Sequence, residues 1–100
     1  MKHGRIDANQ PAIVKALRQV PGVSVAVTSD LGKGFPDLVV GYLGANYMFE
    51  LKDPDKPPSA RKLTKAEQTF HDNWRGCVLK VTTIEAILRT LNIGAERSGR

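Results

Sequence analysis

One hundred residues suffice for one domain with its own core, but not for two. Apolar residues make up 41% of the chain and charged residues 25%, an ordinary globular balance that argues against wholesale disorder. Fifteen basic against ten acidic side chains leave a formal charge of +5, which favours a polyanionic partner, nucleic acid being the commonest.

Cys77 is the single cysteine, so neither an intramolecular disulfide nor a cysteine-based zinc site can form within the chain. The start, from Met1 to Asp7, lacks the apolar core of a signal peptide. No apolar run approaches the roughly 20 residues that span a bilayer. The expectation is a soluble, cytoplasmic protein with no membrane contact.

In chain order, residues 9–20 predict a helix: Ile13, Val14, Leu17 and Val20 recur at helical spacing, Asn9 or Gln10 can cap the start, and Pro11 suits the first turn. Pro21-Gly22 ends it. Residues 23–28 alternate as a half-buried strand, and residues 29–35, with two glycines and Lys33, read as a loop. Residues 37–42 and 47–52 predict two further strands, joined as a hairpin across Leu43-Gly44-Ala45-Asn46. Residues 53–63 hold three prolines and mixed charge, and are expected to form a mobile connection. Thr64-Lys65-Ala66-Glu67 is a capping-box pattern that opens a helix reaching about Trp74, with Ala66, Phe70 and Trp74 on one stripe. Gln68, His71 and Arg75 lie on the opposite, polar face. Residues 77–81 predict a fourth strand. Thr82 or Thr83 then caps a last helix whose Ile84, Ile87, Leu88 and Leu91 face inward, and residues 94–100 are expected to fray. The order is helix, three strands, helix, strand, helix: an α/β fold around a small mixed sheet flanked by helices.

The chemistry concentrates in the hairpin. Asp37 opens one strand, and Glu50 and Lys52 lie two residues apart near the end of the next. With an even-length turn and Tyr42 opposite Tyr47, Val39 faces Glu50 and Asp37 faces Lys52. All three charged residues then share one sheet face, with Asp37 and Glu50 diagonal neighbours about 7–8 Å apart. Two carboxylates near buried strands are costly unless compensated, and hard oxygen ligands of this kind suit magnesium or manganese. Such an ion lowers the pKa of water and neutralises charge building on a pentavalent phosphorus, while Lys52 stabilises that charge or holds the attacking water. Gly32 and Gly34 would let the backbone approach a phosphate, with Lys33 adding charge.

Each residue also has a plainer role. Asp37 can end a turn after Pro36, and Glu50 and Lys52 can be an exposed strand pair. Glu67 fits a helix cap better than a ligand, Asp53 and Asp55 fit turn starts before proline, and His71 fits a surface histidine better than a general base. Phe70 and Trp74 fit the core better than a base-stacking surface, and Cys77 a small buried hydrophobe better than a nucleophile.

Pro36-Asp37 with Glu50-Leu51-Lys52, in this order of elements, resembles the PD-(D/E)XK nuclease superfamily. Within it the chain looks most like the small stand-alone VRR-NUC domains of phages and bacteria. That likeness rests on Gly34-x-Pro36-Asp37, Leu63-Thr64-x-x-Glu67-Gln68 and Trp74-x-Gly76. It covers roughly residues 7–91 of a single nuclease domain, residues 1–100. The resemblance implies a restriction-endonuclease-like αβββαβ core and a magnesium- or manganese-dependent endonuclease acting on DNA, with Holliday junctions or flaps among the substrates it suggests. It further implies a homodimer in a bacterial or phage-infected cytoplasm. Asp37 and Glu50 carry over as metal ligands, the Leu51 carbonyl as a third candidate, Lys52 as the catalytic lysine and Gln68 as a secondary site residue. Many relatives add a first-helix glutamate, where this chain offers Asn9 and Gln10. Lys33, Lys56, Arg61, Lys62, Lys65 and Arg75 are the expected nucleic-acid contacts. The alternatives are a nucleic-acid-binding module on the same fold that cuts weakly or not at all, and an RNase of the same superfamily.

Overall fold

The computed structural model describes residues 7–93. Within them run α1 (Gln10–Arg18), β1 (Val23–Val27), β2 (Leu38–Tyr42), β3 (Ala45–Leu51), α2 (Lys65–Asn73), β4 (Val78–Val81) and α3 (Ile84–Thr90). Short 3₁₀ helices occupy Ser29–Leu31 and Pro58–Arg61, the second within the segment expected to be a mobile connection. The tail expected to fray, residues 94–100, lies outside the described residues.

The strands form one sheet in the order β1-β2-β3-β4. β1, β2 and β3 are antiparallel neighbours, while β4 runs parallel to β3. A parallel pair cannot be closed by a tight turn, so α2 and its flanking loops supply the crossover. The result is a small mixed α/β sheet with three helices, the coarse class expected. Among the described residues, no helix is long and apolar enough to cross a membrane.

Period-two alternation divides the sheet. Leu38 and Val40 of β2 and Phe49 and Leu51 of β3 point to one face, where Ile13, Val14 and Leu17 of α1 meet Ile87 and Leu91 near α3. Phe49 and Leu17 are wholly buried. Truncating a buried aromatic such as Phe49 to alanine costs about 3–5 kcal/mol. The other face carries Met48, Glu50 and Lys52, and all three are buried too. Two charged side chains on a covered face need explanation, given below.

Three local expectations are corrected. Asn9 occupies the cap position of α1 without capping it. Its side-chain amide instead donates to the Lys52 carbonyl at 3.2 Å and the Thr82 carbonyl at 3.1 Å, tying α1 to the ends of β3 and β4. The hairpin loop is two residues, not four: Leu43 and Gly44 both take positive φ (52° and 81°), the mirror-image turn that matches strand twist. Tyr42 therefore pairs with Ala45 rather than Tyr47. The loop is still even, so the shared face stands, but the register moves by two: the ladder ends at Leu38 opposite Phe49, and the Asp37 carboxyl meets that of Glu50 rather than Lys52.

The third correction concerns α2. Thr64 caps it through a complete capping box with Glu67, as the sequence suggests. Its aromatic stripe, however, does not enter the core. Trp74 is 45% exposed and stacks on Phe70, which meets Phe35 edge-on. The helix docks through its first turn on Gly34, where a Cβ would overlap the Ala66 carbonyl and stand 2.9 Å from the Glu67 nitrogen. Gly34, at φ 81°, thus serves helix docking. At α3, Thr83 is the cap, accepting from the Ala86 N–H at 3.2 Å.

Gly34→Ala combines that overlap with a left-handed backbone, and its expected cost is about 3 kcal/mol. Urea unfolding checks this: a midpoint unchanged from wild type would contradict the docking role.

Candidate functional site

Asp37 is fixed by its neighbours before its carboxylate does anything. At the end of β1, Thr28 donates its N–H to the Asp37 carbonyl and its hydroxyl to the Pro36 carbonyl, both at 2.7 Å. The Asp37 N–H donates at 3.0 Å to the carbonyl of Phe49, the residue that Leu38 already faces, so the β2–β3 ladder is offset by one residue there. Its Oδ2 then accepts the Leu51 N–H at 2.8 Å, replacing a backbone acceptor. The Phe49 carbonyl and the Leu51 N–H both face β2, so strand alternation puts the Leu51 carbonyl on that side, beside Asp37.

Glu50 lies opposite, 4% exposed, and its Oε1 is buried with no hydrogen-bond partner. Burial first, then the nearby charges of Asp37 and Glu67 and the hydrogen bond to Asp37, push its carboxyl up to about 9. Asp37 is also raised, chiefly by burial, while the Leu51 N–H and the hydrogen bond with Glu50 pull the other way. The two carboxyl groups therefore share a proton at neutral pH, and it rests on Glu50 because Asp37 already accepts from Leu51.

Lys52 completes the cluster. Its Nζ donates to Glu67 Oε1 at 2.9 Å and lies 3.6 Å from Glu50 Oε2. Burial alone would lower the ammonium's pKa, but the hydrogen bond and charge of Glu67, helped by Glu50, hold it above its ordinary value. Burial raises Glu67, yet the Lys52 hydrogen bond and the Thr64 N–H outweigh it and leave the carboxyl below its usual range. Glu67 Oε1 receives both the Thr64 N–H, at 2.8 Å, and the lysine. One oxygen thus caps α2 and anchors the buried lysine, so Lys52 stays charged on the covered sheet face while Glu50 is neutralised by its proton.

Glu67 is the residue that sequence reasoning undervalued. Its capping-box position was legible, but its second partner depends on α2 docking at Gly34, which no spacing rule supplies. Gln68, one residue on, is exposed and donates to Asp72 Oδ1 at 2.8 Å, so its amide is directed along the helix. The His71 Nδ1 lies 2.9 Å from the Glu67 carbonyl, and its Nε2 is buried without a partner. Arg75 falls beyond the end of α2. Asp53 starts a turn, its carboxylate accepting the Asp55 N–H at 2.9 Å.

Asn9 and Gln10, the first-helix candidates, stand at the same end of the sheet. Asn9 is tied to the carbonyl of Lys52, and buried Gln10 donates to Ser29 Oγ at 2.9 Å, next to the Thr28 that holds Asp37. The Asn9 Oδ1 and Gln10 Oε1 are buried oxygens with no partner. Of the expected nucleic-acid contacts, Lys33, Lys62, Lys65 and Arg75 are exposed and make no ion pair among the described residues. Lys56 is paired with Asp7 at 3.0 Å, and the Arg61 Nε is buried without a partner.

A divalent cation fits this donor set. Glu50 Oε1 lacks a donor, and the proton that burial keeps on the Asp37–Glu50 pair is one that a cation would displace. Their hard oxygens suit magnesium or manganese, with the Leu51 carbonyl a third candidate. No group of three or more His, Cys, Asp or Glu side chains is arranged to hold a metal among the described residues. Any such ion would therefore lean on two carboxylates and neutral oxygens. In comparisons with known proteins, the chain matches no family model, no curated protein and no solved structure.

The shared proton fixes the sign of a pH effect. Lys52, raised, and Glu67, lowered, stay charged near neutrality, so Asp37 and Glu50 dominate the cluster's response there. A folded-state value above the unfolded one means the native protein holds a proton that the unfolded chain has released. The pair's contribution is greatest below about pH 4.5, the ordinary value for Glu50, and is lost as pH rises towards about 9. In a chelating buffer, wild-type Tm should fall between mildly acidic and mildly alkaline pH, and Glu50→Gln should flatten that slope and melt higher at the alkaline end. Parallel wild-type and variant slopes would contradict the shared proton.

Proposed function

We propose that the protein is a divalent-metal-dependent endonuclease of the PD-(D/E)XK type, most like a VRR-NUC domain, which hydrolyses phosphodiester bonds in DNA. The observation that carries this reading is the meeting of Asp37, Glu50 and Lys52 at one end of the sheet, with the carboxyl pair buried and the lysine held protonated. The element order and the antiparallel β1–β3 meander with parallel β4 are compatible with a restriction-endonuclease-like αβββαβ core.

Asp37, Glu50 and the Leu51 carbonyl would hold magnesium or manganese, and that ion would activate water and neutralise charge at phosphorus. The rest is work for the chain. Lys52, kept charged by Glu67, donates to a phosphate oxygen as negative charge accumulates in the transition state, and it does not act as a base. Glu67 fixes the ammonium in place before substrate arrives, so little reorganisation is needed. The net charge of +5 and the exposed Lys33, Lys62, Lys65 and Arg75 draw in the polyanionic backbone. A homodimer with two such sites would suit a branched substrate such as a Holliday junction or flap, and the compartment proposed is the bacterial or phage-infected cytoplasm.

A second reading draws on the first helix. Asn9 and Gln10 are neutral where many relatives have a carboxylate, and Asn9 spends its amide N–H groups on backbone carbonyls. A module that binds nucleic acid on this fold without cutting it would tolerate that.

Incubation with duplex, flap, four-way-junction and RNA substrates in magnesium or manganese separates the readings. Metal-dependent cleavage of DNA is expected, reduced on the order of 10²–10⁴-fold by Asp37→Ala or Lys52→Ala. Glu67→Gln keeps an acceptor for the Thr64 N–H but loses the charge, and should lower kcat by roughly ten- to a hundredfold with little change in KM. Tight junction binding without cleavage would establish the module instead, and cleavage of RNA alone would make the protein an RNase. Equal cutting by wild type and the Asp37 and Lys52 variants would remove the site assignment.

A further inference from the structure

The aromatic cluster beside α2 is not used by the cleavage chemistry. Phe70 and Trp74 lie one helical turn apart with rings nearly parallel, 14° between planes and 5.1 Å between centroids. Phe35 supports Phe70 edge-on, also at 5.1 Å. Neither Phe70 nor Trp74 belongs to the main core, and 45% exposure of a tryptophan leaves a large π surface in water. An open groove runs past it, lined by Lys33, Ala66, Thr69, Phe70, Asn73 and Trp74.

The groove's chemistry is mixed in a specific way. The aromatic rings offer stacking, the Thr69 hydroxyl and Asn73 amide offer hydrogen bonds at their edge, and Lys33 offers a cation. These are the parts that hold an unstacked nucleobase with its phosphate. A purely apolar protein partner would gain nothing from Lys33 or from the exposed Lys65 and Arg75 at the two ends of α2.

The groove is also joined to the candidate site. Phe35 precedes Asp37 by two residues, across Pro36, and Ala66 adjoins the Glu67 that anchors Lys52.

We propose that Phe70 and Trp74 form a stacking platform for an unpaired nucleobase next to the scissile phosphate, so that the protein prefers single-stranded or locally unpaired nucleic acid over continuous duplex. The proposal deepens the nuclease reading and rests on it for the position of the phosphate, but its test needs neither metal nor cleavage.

Trp74 is the only tryptophan, so its emission reports on the platform alone. In a chelating buffer the protein is titrated with a short oligothymidylate, an abasic oligomer carrying the same phosphates, and a blunt hairpin duplex. The oligothymidylate should quench Trp74 and bind about tenfold more tightly than the abasic oligomer, since each stacked base adds appreciably to affinity. Both should weaken alike with salt, and the duplex should not quench. By anisotropy of a labelled oligomer, Trp74→Phe should keep most of the preference for bases and Trp74→Ala should lose it. Equal binding of the base-bearing and abasic oligomers by wild type would overturn the proposal, whatever the variants do. So would quenching by duplex equal to that by single strand. Emission that shifts with protein concentration but not with oligonucleotide would overturn it in favour of a second copy covering the groove. Quenching without any cleavage would leave the platform standing and remove the nuclease reading, whereas cleavage with no preference for bases would do the reverse.

Discussion

The ion pair between Lys52 and Glu67 makes the rest of the site arrangement tolerable. Glu50 and Lys52 alternate onto a covered face of β3, where an isolated charge would be expelled or neutralised. Glu67 comes from a different element and meets the lysine at 2.9 Å. With the lysine held charged, the two remaining carboxyl groups face each other without enough compensation and keep a proton between them. The cluster is poised between one held ammonium and three carboxyl groups.

That poise depends on backbone devices far from the chemistry. The Leu43-Gly44 turn sets the register that puts Leu38 opposite Phe49 and so brings the flanking Asp37 and Glu50 together. Thr28 grips the Pro36 and Asp37 carbonyls, and Asn9 pins the end of β3 at Lys52. Gly34 lets α2 approach closely enough for Glu67 to reach its partner. Each device uses polar groups at element ends, which would otherwise be unsatisfied, so the geometry of the site and the closure of the fold are one problem.

Much of this was legible in the residues themselves. The apolar periodicities of α1 and α3, the alternation of β2 and β3 and the capping box at Thr64 all follow from local rules, and the structure follows them. The parity of the hairpin loop was enough to put Asp37, Glu50 and Lys52 on one face. Its length was not, because Ala45-Asn46 reads as turn by composition while Leu43-Gly44 supplies both positive-φ positions. The role of Asn9 was hidden because its partners are carbonyls distant in sequence, at Lys52 and Thr82. The exposure of Trp74 was hidden for a related reason: a helical aromatic stripe predicts burial, but this one lies against a single loop carrying Phe35. Gln68 shows the limit of motif transfer, since its amide turns to Asp72 along the outside of α2.

The functional reading turns on Asp37 and Glu50 forming a cation site whose buried carboxyl pair holds a proton that a cation would displace. Calorimetric titration of manganese into the protein at neutral pH, in buffers of differing ionisation heat, tests it directly. Binding should release about one proton per site, and Glu50→Gln should abolish that release and weaken binding sharply. Absence of binding, or binding without proton release that the substitution leaves unchanged, would contradict it.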